Sequence, residues 1–344
     1  MARVLAGMTD SELAALAAVP VTWTPWAGHQ RLVVDDVVVF LKRVPLTSAE
    51  VAAPGSTRNL FGLPAFYSYG VGSAGFGAYR ELGAHEAAAG LVRGGVTPGF
   101  PLLYHHRVMA RIEAPPPFPI ARSEYRASWN DNEAVARYID ARESATHELW
   151  LFSEHIPYNL GRWYPDHLDR TAGMLDSLRA ATSAFRDAGL VHFDAHFNNA
   201  LTDGVSFYLC DFGLALSSSF DLDDDERAFL RRHRHYDHAE IVWSLLSALP
   251  TLYEAATPAD RSRLDRAVGH PPTASARYVE ALLEQLDAVS DILDLPTEYS
   301  ATLKRYRDVI LEFDEFAHAI RRPAKDAEFD ERRFAELLAR ADQS

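Results

Sequence analysis

The spacing of apolar residues changes character near residue 155. Before it, apolar residues fall mostly in short runs rich in β-branched residues, such as residues 31–34, 37–42 and 100–108, and such runs are typical of strands. After it, apolar residues recur every three or four positions over long stretches, which is typical of amphipathic helices. The pattern therefore predicts a strand-rich first part with one main helix, followed by a mostly helical second part.

Local signals place the elements of the first part. Thr9 to Glu12 form a capping-box pattern that predicts a short helix over 10–18. Asp35-Asp36 predicts the turn of a hairpin between two strands. The main helix is predicted at 78–93, where two glycines stop the apolar repeat. A further strand is predicted at 148–156.

Two segments of the first part lack a regular repeat and are predicted to be insertions. Residues 45–77 hold several prolines, glycines and serines, and residues 113–147 contain Pro115-Pro116-Pro117 before a polar helix near 131–142. The pattern of the second part predicts helices at 168–188, 222–234, 237–254, 275–293, 297–320 and 328–341.

Size and charge narrow the class of protein. At 344 residues the chain is too long for one compact core, so two lobes are expected. Because 48 acidic and 34 basic residues give a net charge of −14, neither a nucleic-acid nor a membrane partner is expected. No apolar run approaches the ~20 residues of a membrane span. Cys210 is the only cysteine, which excludes an internal disulfide and favours a cytoplasmic location.

Residues 190–213 hold the densest group of chemically active side chains. The segment begins with a polar cluster and, after a Thr-Asp-Gly turn and a short apolar strand, ends in Asp211-Phe212-Gly213. A hairpin here would bring two carboxylates and a carboxamide together, and oxygen ligands of this kind suit Mg²⁺. The polar cluster consists of His192, Asp194, His196, Asn198 and Asn199.

Two other features each allow two interpretations. Lys42 lies in a β-branched run, where it either extends from a sheet edge into solvent or is a fixed cation aimed at a phosphate. On that run alone the first interpretation is favoured. Gly70, Gly72 and Gly75 form a Gly-x-Gly-x-x-Gly pattern before the main helix. This segment either covers a phosphate or a substrate with its backbone N–H groups or is a flexible connection without a ligand.

Taken in order along the chain, these residues resemble the motifs of the protein-kinase-like fold. Lys42 on a strand is followed by a helix with glutamates, by His-x-Asp-x-x-x-x-Asn from His192 to Asn199, and by Asp-Phe-Gly at Asp211. His196 makes the chain most similar to the aminoglycoside phosphotransferase and choline kinase group, whereas Asp-Phe-Gly is the protein-kinase form. The glycine-rich segment follows the lysine strand, although a protein-kinase glycine loop precedes it.

The resemblance, which covers roughly residues 20 to 340, implies an α+β, bilobal fold. The implied division is a β-rich N-terminal lobe at 1–152, which includes both insertions, a hinge at 153–158 and a helical C-terminal lobe at 159–344. The adenine of ATP is then expected against the hinge, at Glu154 and Ile156.

The resemblance also implies a set of catalytic and nucleotide-binding residues. Asp194 is implied to accept or orient the proton of the acceptor hydroxyl. His196 is implied to orient Asp194 or to line the phosphate site, and His192, the third candidate catalytic residue, to brace the loop. Lys42 is implied to bind the phosphates of ATP through an ion pair with a helix glutamate, for which Glu86 is preferred to Glu81.

Asn199 and Asp211 are implied to hold Mg²⁺ on the phosphates, and Gly70, Gly72 and Gly75 are further candidates for contact with the nucleotide. The expected activity is an ATP-dependent transfer of phosphate to a hydroxyl of a small molecule that is antibiotic-, choline- or sugar-like. The alternative acceptor is a serine or threonine of a peptide or protein, such as a natural-product precursor peptide.

Two other classes of function stay open on the sequence. A pseudokinase scaffold would bind partners without catalysis, and the displaced glycine-rich segment is the feature that favours it. A metallohydrolase would use His192, Asp194 and His196 as ligands from one face of a strand, but it leaves Lys42 and Asp-Phe-Gly without a role.

Overall fold

The computed structural model describes residues 1–113, 120–269, 276–321 and 325–343, and the side chains of Ala276 and Arg277 are not described. The predicted proline run at 115–117 and the first residue of the helix predicted at 275–293 lie outside the described residues.

An antiparallel five-stranded sheet forms the centre of the first part, with strand order β1-β2-β3-β5-β4. The predicted hairpin turn is confirmed, because Asp35 and Asp36 connect β2 and β3 with φ values of 48° and 62°. β3 pairs with β2 on one side and with β5 on the other. The strands are β1 (Thr22–Trp23), β2 (Gly28–Val34), β3 (Val37–Leu46), β4 (Leu103–Ala110) and β5 (His147–Glu154).

Helices cover both faces of this sheet. On one face, α1 (Ala2–Gly7) and α2 (Asp10–Leu16) contribute Leu5 and Leu13 to a core with Val39 and Leu41 of β3. On the other face, Val44 and Leu46 pack against α4 (Ala78–Arg93), whose predicted bounds are confirmed. Since side chains alternate along a strand, Lys42 points to the same face as Val44 and therefore toward α4.

The two predicted insertions pack against each other. The segment before α4 contains α3 (Ser48–Ala52) and one turn of 3₁₀ helix, and the second insertion contains α5 (Arg122–Ser128) and α6 (Glu133–Glu143). The prediction of one helix in the second insertion was therefore incomplete. An aromatic cluster of Leu63, Tyr67, Phe76, Tyr125, Trp129, Val135, Tyr138 and Ile139 joins them.

The second part is helical, with short strands near its beginning. Its helices are α7 (Leu160–Trp163), α8 (Thr171–Asp187), α9 (Asp224–Arg231), α10 (Tyr236–Trp243), α11 (Ala248–Ala255), α12 (Pro258–Val268), α13 (Ala276–Glu284), α14 (Leu286–Leu293), α15 (Thr297–Arg305), α16 (Arg307–Arg321) and α17 (Glu331–Gln343). Its strands are β6 (Tyr158–Asn159), β7 (Leu190–Val191), β8 (Ala200–Thr202), β9 (Phe207–Leu209) and β10 (Leu216–Ser217).

Three of the predicted long helices are each divided in two. The one predicted at 237–254 is interrupted by a 3₁₀ segment that begins at Ser244, whose hydroxyl donates to Glu240 O at 2.8 Å. Serine bonded back to the preceding turn distorts a helix in this way. The polar helix α12 was not predicted, although Thr257 caps it and Pro258 begins it. Among the described residues, no helix is long and apolar enough to cross a membrane.

Candidate active site

A short hairpin brings Asn199 and Asp211 to the same place. In the β8–β9 ladder, Ala200 lies opposite Leu209. The ladder is extended by the Cys210 N–H, which donates to Asn199 O at 2.9 Å. The two candidate metal ligands therefore follow from one strand pairing, and both line a cavity of about 210 Å³ between the sheet and the helical part.

Two buried carboxylates of α10 hold the loop that carries Asp194 by accepting hydrogen bonds from its backbone. Asp237 accepts hydrogen bonds from the backbone N–H groups of His192 and Phe193 at 2.8 and 2.9 Å. Glu240 accepts one from Ala195 N–H at 2.6 Å. These bonds hold Phe193 in the left-handed region, at φ 64°, which is a strained conformation for a residue with a side chain.

Asp237 and Glu240 were not predicted from the sequence, but a signal was present. They lie three residues apart in the otherwise mostly apolar helix α10, and a carboxylate in such a helix is rarely buried without a specific partner. Burial and, after it, the nearby charge of Asp194 together raise the pKa of Glu240 to about 8.

Asp194 makes two side-chain contacts at the cavity. Its Oδ2 accepts a hydrogen bond from Asn199 Nδ2 at 2.6 Å, and its Oδ1 lies 3.3 Å from His196 Nε2. Burial alone would lower the pKa of His196, because it disfavours the charged imidazole. The hydrogen bond to Asp194 and the negative charge of Asp194 outweigh burial and raise the His196 pKa to about 9. At neutral pH, a cationic His196 therefore lies against the Asp194 carboxylate.

Lys42 connects the sheet to the Asp-Phe-Gly segment. Its Nζ lies 2.6 Å from Glu81 Oε1 and 2.7 Å from Asp211 Oδ1. Burial alone would lower the Lys42 pKa, but the two carboxylates outweigh it and raise the pKa. The pKa values of Glu81 and Asp211 are correspondingly lowered, because the charge of Lys42 outweighs their burial. All three groups are therefore charged at neutral pH.

The preference for Glu86 as the partner of Lys42 was wrong. Glu86 is exposed, and its nearest ion-pair contact is His106 at 3.9 Å. Five residues of α-helix turn a side chain by about 140° from the face of Glu81. The face of α4 that holds Glu81 is fixed by packing on β3 and by the buried pair of Arg80 with Glu226 at 2.7 Å.

The glycine-rich segment lies over two of the candidate site residues, Asp194 and Asp211. Gly70, Gly72 and Gly75 all line the 210 Å³ cavity. A β-carbon at Gly70 would collide with the Asp194 carboxylate, and one at Gly75 would collide with the carbonyl of Gly213. Gly75 also has a φ of 77°, which glycine adopts without strain. The segment is thus next to Asp194 and Asp211 although it follows the lysine strand in sequence.

The insertions hold this segment in place. Tyr125 Oη donates to Gly72 O at 2.9 Å, and Ala74 N–H donates to Tyr67 Oη at 3.1 Å. Arg142 of α6 also lines the cavity, and it donates to Trp26 O at 2.6 Å. Sequence reasoning missed this role because the aromatic residues that carry it lie in segments without a clear repeat.

The turn between β1 and β2 closes the cavity from the side of the sheet. Thr24, Trp26, Ala27 and His29 line it. Within the turn, Thr24 Oγ1 accepts the N–H of Ala27 at 3.2 Å. Burial and the charge of Lys42 lower the pKa of His29 to about 4, so its imidazole is neutral at pH 7. None of these turn residues was among the predicted site residues.

His192 does not reach the cavity. It is fully buried, and its Nε2 donates to Cys210 O at 3.0 Å. Its ring packs beside Phe212 with 5.3 Å between centroids. His192 is therefore a positioning residue that links the Asp194 loop to the Asp211 strand, and its prediction as a candidate catalytic residue is corrected.

Cys210 accepts the hydrogen bond from His192 through its carbonyl. Burial raises the pKa of the Cys210 thiol, so this cysteine is unreactive as a thiolate.

The two hinge residues predicted to contact adenine are not brought to the cavity. The backbone N–H of Glu154 donates to Leu102 O at 2.8 Å, and Glu154 Oε2 accepts the N–H of Leu102 at 3.2 Å. Ile156 is buried. Neither residue is among those that line the cavity, so adenine binding at the hinge stays a prediction.

The donor set fits Mg²⁺ bound together with phosphates. Asn199 Nδ2 is engaged with Asp194, so the carboxamide presents its oxygen as a ligand, and Asp211 adds a carboxylate. Mg²⁺ takes its other ligands readily from water and phosphate oxygens. Within the described ranges, no group of three His, Cys, Asp or Glu side chains is placed to hold a metal ion by itself. The metallohydrolase is disfavoured because His192 is buried and its Nε2 is bonded to Cys210 O, so it does not join Asp194 and His196 at the cavity.

No protein-family model and no curated protein matches the chain. A solved structure described as WaaP in complex with acyl carrier protein is 13% identical and aligns over 91% of this chain and 92% of that chain, with a TM-score of 0.39. The chain has a bilobal protein-kinase-like α+β fold, evident in the sheet, in the Lys42–Glu81 pair beneath it and in the helical part that presents Asp194.

Proposed function

We propose that the protein is an ATP-dependent phosphotransferase that moves the γ-phosphate of ATP to a hydroxyl group of a small molecule. The observation that supports this best is the convergence of Lys42, Asp194 and Asp211 around one cavity. Lys42 and Asp211 are 169 residues apart in sequence and 2.7 Å apart in space. A fixed cation, a base and a metal-binding carboxylate are the groups that phosphoryl transfer requires.

Asp194 is the base in this proposal. It accepts the proton of the acceptor hydroxyl while the acceptor oxygen forms a bond to the γ-phosphorus. The bond between that phosphorus and the β–γ bridging oxygen breaks, ADP leaves, and Asp194 releases its proton to solvent. His196 and Asn199 hold the Asp194 carboxylate from two sides. Asp237 and Glu240 are positioning residues, since they act through the backbone of the loop.

Lys42 and the metal ligands act on the nucleotide. Lys42 binds phosphate oxygens and remains oriented by Glu81. Asn199 and Asp211 would hold Mg²⁺, which when bound neutralises charge on the phosphates. The backbone of the glycine-rich segment from Gly72 to Gly75 lies close enough to the same cavity to contact the phosphates.

The test replaces the base and measures binding and transfer separately. In Asp194→Asn, phosphate transfer to an acceptor panel should fall by about 10²–10⁴-fold, as measured by intact mass. MgATP affinity, measured by calorimetry, should stay close to that of the wild type, because Asp194 contacts the acceptor rather than the nucleotide. Asp291→Asn, at an exposed position of α14, is the matched control.

Undiminished turnover in Asp194→Asn would contradict the assignment of the base. Absence of MgATP binding by the wild-type protein would contradict the proposed function as a whole and would favour the scaffold alternative.

A further inference from the structure

We infer that the acceptor is an uncharged hydroxyl compound with an apolar, ring-bearing body, and that it binds in a second cavity beside Asp194. This inference rests on the proposed function and names its substrate class. The second cavity has a volume of about 540 Å³, which is within the ~300–1,000 Å³ typical of small-molecule sites.

The second cavity adjoins the phosphate cavity at the catalytic carboxylate. Gly70 and His196 line both cavities. Both residues lie next to Asp194. His196 Nε2 is 3.3 Å from Asp194 Oδ1, and a side chain on Gly70 would collide with that carboxylate. A hydroxyl at the end of the second cavity that Gly70 and His196 line would therefore lie beside the proposed base.

The walls of the second cavity are apolar. Trp243 and Leu249 contribute from α10 and α11, and Tyr278 and Leu282 contribute from α13. Trp243 and Tyr278 are only partly buried, so a ligand would cover more of both rings. Covering aromatic and aliphatic surface favours an apolar body over a fully hydroxylated sugar, because the sugar has less apolar surface to bury.

The charged groups of the lining are few. Asp314 is the single carboxylate among the described residues of the lining, and Arg321 adds a guanidinium that lies 5.4 Å from the Trp243 ring centre. A polycationic antibiotic would bring several ammonium groups to one carboxylate and to two groups of like charge, Arg321 and the cationic His196, which is unfavourable. A peptide backbone would leave its N–H and C=O groups unpaired against the apolar walls.

Asp314 points to a second polar group on the acceptor. It is 3% exposed and accepts a hydrogen bond from Trp243 Nε1 at 3.0 Å through Oδ1. Its Oδ2 is buried and makes no hydrogen bond among the described residues, since the nearby His318 Nδ1, 3.5 Å away, is bonded instead to the Asp314 carbonyl oxygen at 2.8 Å. Because buried carboxylate oxygens are normally bonded, we assign Asp314 as the residue that accepts a hydrogen bond from a donor of the acceptor molecule.

The first experiment measures binding by calorimetry, with 2-(2-naphthyl)ethanol, kanamycin and a serine-containing hexapeptide as probes. The wild type should bind the naphthyl alcohol more tightly than the other two probes. Ser247→Trp should weaken this binding at least tenfold, because Ser247 is exposed at the cavity and the new ring fills it. Ser262→Trp, exposed on α12, is the matched control and should bind as the wild type does.

Tighter binding of kanamycin or of the peptide overturns the inference, and so does undiminished binding of the naphthyl alcohol in Ser247→Trp. Phosphate transfer to kanamycin, with no binding of the naphthyl alcohol, overturns the inference but keeps the proposed function, whereas transfer to the peptide overturns both the inference and the small-molecule acceptor. Binding of the naphthyl alcohol without phosphate transfer to any compound supports the cavity assignment and contradicts the proposed function.

The second experiment tests Asp314 by a cycle of two ligands and two proteins. The wild type should bind 2-(6-hydroxy-2-naphthyl)ethanol about tenfold more tightly than the parent alcohol, because a charged acceptor receives the extra donor. In Asp314→Asn that gain should shrink, while binding of the parent alcohol changes little. An equal gain in both proteins overturns the role of Asp314.

Discussion

The two cavities that meet at Asp194 are built in opposite ways. The smaller one is surrounded by glycine backbone and by charged groups that neutralise each other, as Lys42 does with Glu81 and Asp211. The larger one is walled mainly by aromatic and aliphatic side chains from separate helices, with Asp314, Arg321 and the cationic His196 as its charged members among the described residues.

In the proposed function, the smaller cavity determines the reaction and the larger cavity selects the acceptor. Phosphoryl transfer depends on a few charges held at fixed positions, because the protein stabilises charge rather than forming bonds. Selection of an apolar acceptor depends on surface area and shape, to which many residues each contribute a little. A substitution in one cavity should therefore leave the property of the other almost unchanged.

The largest expected effect is the loss of the fixed cation. Lys42→Met should lower the rate of phosphate transfer by about 10²–10³-fold, because one preorganised charge on the phosphates is removed. Binding of 2-(2-naphthyl)ethanol should be unchanged, since Lys42 does not line the acceptor cavity. Steady-state kinetics and calorimetry on the same preparation give both values, with Lys304→Met, which is exposed, as the control. Weakened alcohol binding would mean that the two cavities are not independent.

A substitution at the boundary should affect both properties. Gly70→Ala places a methyl group against the Asp194 carboxylate, so that carboxylate or the segment must move. Misplacement of a catalytic group by about 1 Å costs on the order of 10²-fold in rate, and the KM for the acceptor should rise together with the loss of kcat. Gly90→Ala is the control, because its β-carbon meets nothing within 4 Å. A fully active Gly70→Ala would show that the boundary is wider than the structure indicates.

A smaller effect distinguishes the two glutamates of α4. Glu81→Gln should lower transfer about tenfold, since one charge-assisted bond that orients Lys42 is weakened while the bond to Asp211 remains. Glu86→Gln should behave as the wild type in the same kinetic assay, because Glu86 is exposed. A larger loss in Glu86→Gln than in Glu81→Gln would identify Glu86 as the partner of Lys42.

The reaction side of the site was largely predictable from the sequence. Lys42, Asp194, Asn199 and Asp211, which the structure brings to one cavity, are recognisable because the motifs they resemble hold these residue types at nearly fixed separations. The choice between Glu81 and Glu86 failed because both fit the order of motifs, and only the packing of α4 on β3 sets which face meets Lys42.

The acceptor side was not predictable in the same way. Trp243, Tyr278 and Asp314 come from three helices that have no fixed spacing relative to one another. Their apolar neighbours follow the ordinary helical repeat, which predicts a buried face but cannot distinguish a cavity wall from a core. The contact of Gly70 with Asp194 was missed for a related reason, because it joins segments that are distant in sequence and carry no complementary pattern.

The smallest expected effect concerns the buried Glu240, which holds the Asp194 loop by accepting the Ala195 N–H. Its pKa in the folded protein is raised to about 8 from an ordinary value of 4.5. Between these values Glu240 binds more protons in the folded state than in the unfolded state, so its contribution to the free energy of unfolding falls as pH rises. The window from pH 5.0 to 6.0 is suitable, because His196, with a pKa of about 9 when folded and 6.5 ordinarily, is mostly protonated in both states there. His29, His233 and His238, whose folded pKa values are lowered to about 4, 3 and 3, add a slope of opposite sign that the wild type and a Glu240 variant share.

Glu240→Gln should remove the slope that Glu240 contributes, at most about 1.4 kcal/mol per pH unit, because glutamine does not ionise. Its carboxamide oxygen can still accept the Ala195 N–H, so the loop and the transfer activity should be largely retained. Urea unfolding of the wild type, Glu240→Gln and the exposed control Glu315→Gln at both ends of the window gives the three slopes. A slope in Glu240→Gln equal to that of the wild type would show that Glu240 is already ionised in the folded protein, and that the support of Asp194 is a buried anion rather than a neutral acid.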